Sequence, residues 1–247
     1  MSRLTAIGVE GLPEIEEGAR LGELIAARAE IEAGDVVVIS QKVVSKAEGQ
    51  TRRLSTVIPG AEARKLAAVL GKEPAMVELI LEESSEVLRA ERNVLITETH
   101  HGFVCANAGI DSSNIPANDT VCLLPEDPDA SARRIRAEIV GQGPVVGVVI
   151  SDSLGRAWRL GQAEMAIGCA GLQSLDDWRG RADAHGRELE ATLIAVADEA
   201  AAAADLVRGK DSQIPVVILR GLERFVTDED GSGAIALRRP RDEDLFR

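Results

Sequence analysis

Four short segments gather side chains able to bind or transfer charged groups, and the chemistry comes where apolar runs give way to glycine, small or polar residues. The segment Gly11-Leu12-Pro13-Glu14-Ile15 is a turn leading into a stretch rich in early carboxylates; an ordinary helix start reads the same way. The segment Ser40 to Gly49 follows the apolar run Val36–Ile39. If that strand continues, its period of two sets Lys42 and Lys46 on one face as paired ammonium groups for phosphate, with solvated edge lysines as the alternative. In Gly102 to Asn114, small residues let backbone approach a ligand, and Asp111 with Asn114 offers hard oxygens suited to Mg²⁺ or Mn²⁺. An Asx turn would use the same residues. The fourth segment, Ser151-Asp152-Ser153 to Arg159, follows the apolar run Val145–Ile150, a layout in which a carboxylate holds a metal beside a phosphate-binding arginine. A structural Asp–Arg pair competes with that reading, and Asp152 is the foremost single metal-ligand candidate. Gly161 to Glu164 and Gly168 to Gly171 extend the small-residue surface, and Gly209-Lys210-Asp211-Ser212-Gln213 is a further loop for phosphate.

These segments need elements to position them. Periodicity predicts helices over Gly18–Ala33, Gly60–Leu70, Pro74–Glu83, Asp129–Val140 and Gly186–Val207, the last drawn from the stripe Leu189, Leu193, Val196, Ala200, Ala203 and Val207. Asp127-Pro128 supplies turn and capping chemistry for the fourth. Strands are predicted over Val36–Ser40, Glu86–Arg89, Val94–Thr97, Thr120–Leu124, Val145–Ser151 and Ile214–Leu219; their uninterrupted apolar runs suit strands covered on both faces. The fold class is α+β with mixed sheets and packed helices. GxGxxG, GxxxxGK[ST], HExxH and GxSxG are absent, so these patterns point neither to a dinucleotide fold or P-loop nor to a zincin or the simplest acyl hydrolase.

Composition narrows the function classes. The chain has 247 residues with 41 acidic and 28 basic side chains, a net charge of −13, and only 2% aromatics without a tyrosine. That is unsuited to a phosphate-backbone surface or a base-stacking platform, so no nucleic-acid partner is expected. No apolar stretch is long enough to span a bilayer, and no membrane partner is expected. Three distant cysteines, Cys105, Cys122 and Cys169, argue for a reducing compartment and a cytoplasmic location, and are expected to be small buried hydrophobes. Against the acidic total, a locally positive pocket is expected from Lys46, Arg156, Arg159 and Lys210.

Taken in order along nearly the whole chain, Gly11–Glu14, Gln41 to Gly49, Gly102 to Asn114, Ser151 to Trp158, and Gly209-Lys210 with Ile214-Pro215 resemble the F420-0:gamma-glutamyl ligase family of coenzyme F420 biosynthesis. The resemblance implies one ligase domain over residues 1–247, with room for two lobes and no nitroreductase-like C-terminal domain, in an unusual ligase fold that forms an intertwined homodimer. It implies GTP-dependent ligation of L-glutamate to F420-0 through an acyl phosphate, with GDP and phosphate released and a tail of one or more glutamates. The cofactors it implies are Mg²⁺ or Mn²⁺, two of them, and K⁺. By position, Gly11, Leu12, Pro13, Glu14, Gln41, Lys46 and Asn114 would bind GTP together with the Gly209-Lys210 loop. Asp111, Asp152 and Ser153 would ligate metal, with Lys46 and Asp152 as the catalytic residues. Relatives often carry Ser at Gln41 and Thr at Ser153, and some place an acidic metal ligand near Lys210. A ligase with another carboxylate acceptor, or a non-catalytic nucleotide- and metal-binding protein, would share much of this pattern.

Overall fold

The computed structural model describes residues 3–112, 119–141, 143–209 and 211–246. In chain order the elements are β1 (Thr5–Gly8), α1 (Leu21–Ala26), β2 (Val36–Ser40), α2 (Gln41–Ala47), β3 (Thr51–Arg53), α3 (Ala61–Leu70), α4 (Pro74–Glu82), β4 (Ser84–Glu91), β5 (Val94–Thr99) and β6 (Val104–Ala106). They continue with β7 (Thr120–Cys122), α5 (Pro128–Val140), β8 (Gly147–Arg156), β9 (Arg159–Ala170), β10 (Asp176–Asp177), β11 (Leu193–Ile194), α6 (Val196–Asp205) and β12 (Val216–Arg220). The class is α+β with mixed sheets, as expected.

The main sheet has the order β1-β12-β2-β8-β9. β2 and β8 run parallel, in register from Val36 opposite Gly147 to Ser40 opposite Ser151, and the other pairings are antiparallel. Along β2 the side chains alternate between faces, so Val37 and Ile39 join one buried cluster with Ile25 of α1, Val44 of α2 and Ile135 and Ile139 of α5. Val36 and Val38 join a second, with Ala197, Ala200, Ala201 and Ala204 of α6. Coverage on both faces explains why β2 and β8 read as unbroken apolar runs. A third cluster packs α3 and α4 against β5, β7 and Leu54.

α5 begins as expected. Asp127 accepts from the Ala130 amide at 2.8 Å, and Pro128 occupies the first turn, where its missing N–H costs nothing. Asp129 then holds the amides of Cys169 at 2.8 Å and Ala234 at 2.7 Å, tying α5 to β9 and to the C-terminal segment. Gly168 of β9 lies so close to α5 that a Cβ there would meet the Pro128 carbonyl oxygen at 2.3 Å. Gly168 to Gly171 is therefore a packed, buried strand end, not the ligand-facing surface expected of it.

Two expected helices change, and the strand over 36–40 stands with its expected bounds but ends there. The helix over 18–33 shortens to α1. The helix over 186–207 starts only at Val196, because Gly186 takes φ +82° in a turn where Asp183 accepts the amides of His185 and Arg187, and Leu193–Ile194 pairs with Asp176–Asp177. The strand over 36–40 does not continue past Ser40: it turns into α2, so Lys42 and Lys46 share a face by the four-residue helical period and not by the strand period of two.

Candidate functional site

The carboxyl-terminal ends of the parallel strands β2 and β8 point to one side of the sheet, where open α/β sheets place ligand crevices. The chain leaving β1, α2 after β2, the second half of β8 and the approach to β12 meet there around a cavity of about 750 Å³. Its lining includes Leu12, Pro13, Glu14, Gln41, Lys42, Lys46, Asp111, Asp152, Ser153, Glu164, Arg208, Gly209 and Asp211. Residues drawn from five stretches far apart in sequence thus line one cavity. Gly11 makes the turn just before this lining, with φ +72°. Asn114 and Lys210 lie outside the described residues.

The two lysines of α2 are each held by a carboxylate from another element. Lys46 Nζ lies 2.5 Å from Glu14 and Lys42 Nζ 2.8 Å from Asp111. Asp111 is in turn pinned by reciprocal backbone hydrogen bonds with Cys122 at the end of β7. Gln41 is buried, and its Nε2 donates to Ser45 Oγ at 2.6 Å and to the Leu123 carbonyl at 2.7 Å. That amide nitrogen is committed to joining α2 to β7.

A register shift between Ile150 and Ser151 marks where β8 passes from the core to the cavity. Beyond it, Ser153 faces Glu164 across the β8–β9 pair, and the Ser153 hydroxyl donates to Glu164 Oε1 at 2.5 Å. Glu164 Oε2 accepts from Arg208 Nη2 at 3.0 Å, and the same Nη2 reaches Ser151 Oγ at 2.9 Å. Both members of this ion pair are buried, with side-chain exposures of 8% and 7%. Arg208 Nη1 is buried with no partner among the described residues.

Asp152 sits between these groups, and its carboxyl is pushed up to about 7 from 3.8. Burial is the chief cause, followed by the negative charge of Glu164; the Ser153 backbone hydrogen bond opposes the shift, Asp111 adds to it and Lys42 offsets part of it. Among the described residues the lining sets six carboxyl groups (Glu14, Asp111, Asp152, Glu164, Asp205 and Asp211) against three cations (Lys42, Lys46 and Arg208). The expected positive pocket is therefore corrected to an acidic one. Arg156 and Arg159 pair with each other at the β8–β9 hairpin tip, where Arg156 donates to the Leu160 carbonyl, and neither lines the cavity. Arg208 is the cation that sequence reasoning missed.

Among the described residues no three His, Cys, Asp or Glu side chains form a ready metal cage. The donor set still fits a hard divalent cation. Asp111 and Asp152 supply carboxylates and Ser153 a hydroxyl oxygen, with Glu164 adding negative charge beside Asp152; Mg²⁺-type ions complete their shell with water and substrate phosphate. All three cysteines are unpaired and buried, with Cys105 and Cys169 pushed up to about 12 by desolvation, so they remain thiols at neutral pH.

Residues 10–221 match the family model of the F420-0:gamma-glutamyl ligases. The chain belongs to this ligase family. Among similar proteins, the coenzyme F420:L-glutamate ligase of Methanocaldococcus jannaschii is 45% identical over 249 residues, covering 99% of this chain and 97% of that protein. The ligases of the same name from Methanothermobacter thermautotrophicus and Archaeoglobus fulgidus are each 44% identical, covering 99% of this chain and 99% and 97% of theirs. The segments that carry the ligase-family resemblance in the sequence are those that meet at the cavity, apart from the residues outside the described set. No helix among the described residues is long and apolar enough to cross a membrane.

Proposed function

We propose that this protein ligates L-glutamate to coenzyme F420-0, using GTP, at the cavity where β2 and β8 end. The family membership supports the glutamate-to-F420 chemistry, and the observation that carries the site is the convergence of Lys42, Lys46, Asp111, Asp152 and Ser153 on that cavity. A carboxylate and an amine do not condense unaided in water near neutral pH, so the acid must first be activated. In the reaction proposed, an F420-0 carboxylate oxygen attacks the γ-phosphorus of GTP and GDP leaves. The glutamate amine, as the free base, then attacks the acyl carbon, phosphate leaves with the former carboxylate oxygen, and the nitrogen gives up one proton and keeps the other as the amide N–H.

Asp111, Asp152 and Ser153 would hold divalent cations, Mg²⁺ or Mn²⁺, which supply charge neutralisation and alignment of the phosphoryl group. The net acidity of the lining supports this reading: polyanionic GTP and an anionic acceptor gain little from a surplus of carboxylates unless cations intervene. Lys46 is placed to exchange its Glu14 partner for a phosphate oxygen, and serves as the fixed positive charge beside the transferring group. The turn Gly11–Glu14, Gln41 of α2, Asn114 and the loop at Gly209-Lys210 complete the nucleotide site in this reading. K⁺ dependence, the homodimer and a cytoplasmic location belong to the same proposal.

The test is incubation with F420-0, L-glutamate, GTP and Mn²⁺, with the acceptor followed by mass spectrometry. A gain of one or more glutamyl units that needs GTP and metal is the expected result, and the number of units gives the tail length. GTP and Mn²⁺ binding without any gain on F420-0 would contradict the acceptor and direct the search to other carboxylates.

A further inference from the structure

Ser153 and Glu164 are directly opposed across β8 and β9, and the Ser153 hydroxyl gives its proton to Glu164 Oε1. Glu164 is buried in the wall of the cavity, and its other oxygen is held by Arg208, which is braced against Ser151. A buried ion pair of this kind costs desolvation and is weak as a source of stability, so its position beside the cavity calls for another role. A serine hydroxyl can turn either its hydrogen or its oxygen lone pairs toward a neighbour, and only the latter suits a cation. An ionised carboxylate accepts and cannot donate, which fixes the direction of the Ser153 proton.

We propose that Glu164, clamped by Arg208, is a positioning residue that draws the Ser153 proton into the strand pair so that the Ser153 oxygen is presented to a divalent cation in the cavity. The inference rests on the metal-assisted reading above. Outer partners that orient a ligand typically change metal affinity by about 10- to 100-fold when removed.

The test is a double-mutant cycle on Mn²⁺ affinity, measured by calorimetry or by electron paramagnetic resonance of free Mn²⁺, with no nucleotide or turnover required. Glu164→Gln, whose amide can donate as well as accept, is expected to weaken Mn²⁺ binding at least tenfold, and Ser153→Ala to do the same. In the Ser153→Ala background Glu164→Gln is expected to add less than about twofold, because it acts through that hydroxyl. Should Glu164→Gln melt too low to assay, Arg208→Lys, which keeps a cation on Glu164 but loses the planar fork, is expected to give a smaller loss that also vanishes with Ser153→Ala. Wild-type affinity in either single variant, or a Glu164→Gln loss that persists in full without the hydroxyl, overturns the proposal. A wild type that binds Mn²⁺ with this pattern of coupling but leaves F420-0 unchanged would overturn the ligase reading alone.

Discussion

Among the carboxyls of the described residues, Asp152 is held furthest above its ordinary value. Its native carboxyl keeps its proton to about pH 7, whereas the unfolded chain releases it near 3.8. Over that interval the folded state binds more protons than the unfolded one, so stability falls as pH rises from about 4 to 7, by an amount on the order of a few kcal/mol. Glu164 and Asp111 raise the penalty, and Lys42 lowers it. Thermal melting of metal-free protein is expected to show a midpoint that drops between pH 5 and pH 8; in Asp152→Asn the drop shrinks, and in wild type saturating Mn²⁺ offsets it. Equal pH profiles for wild type and Asp152→Asn would count against the burial and charge crowding described. Lys46 is the second residue with a sharp expectation: Lys46→Met should lower kcat by roughly a hundredfold, in the range for loss of one preorganised charge, with the melting midpoint nearly unchanged because its Glu14 partner is exposed. Steady-state kinetics beside melting curves checks this. Of these residues Asp111, Asp152 and Lys46 were legible from type and position after apolar runs. Arg208 was not, because a lone arginine after an alanine-rich helix gains its meaning only from Glu164, 44 residues earlier, and Ser151.

At the scale of elements, the apolar runs of β2 and β8 announced themselves because both faces of those strands are covered. α2 did not. Its seven residues, Gln41-Lys42-Val43-Val44-Ser45-Lys46-Ala47, are too few for a helical period to stand out from an alternating one, and the choice is made by the packing of Val44 and Ala47 under the sheet and by Gln41 reaching Leu123. The false extension of α6 back to Gly186 has the opposite cause: Leu189 and Leu193 fall by chance on the stripe of a real helix, while the turn around Asp183 and Gly186 settles the local structure. Gly168 to Gly171 reads as a ligand-facing surface in the sequence because small residues look alike whether they face a ligand or a close-packed helix. Gly168→Ala discriminates the two: a Cβ 2.3 Å from the Pro128 carbonyl forces β9 and α5 apart, and a loss of about 1–3 kcal/mol or more is expected in denaturant unfolding. A variant as stable as wild type would show that α5 yields at no cost.

For the whole molecule, the acidic balance of −13 and the acidic cavity point the same way. In the proposed reading, polyanionic substrates would be held through bound cations more than through the protein's own surface charge, so metal and nucleotide are expected to bind interdependently. The most direct check of the central claim, activation of the acceptor by phosphoryl transfer in this cavity, uses F420-0 carrying ¹⁸O in the carboxylate that accepts glutamate. Attack on the γ-phosphorus followed by displacement by the amine moves one of those oxygens into the released phosphate. Mass spectrometry of the phosphate is therefore expected to show one ¹⁸O per F420-0 converted, carried by the phosphate released with the first glutamate, and this transfer should be lost in Asp152→Asn. Unlabelled phosphate, with the label found in a nucleoside monophosphate or in water, would contradict the account.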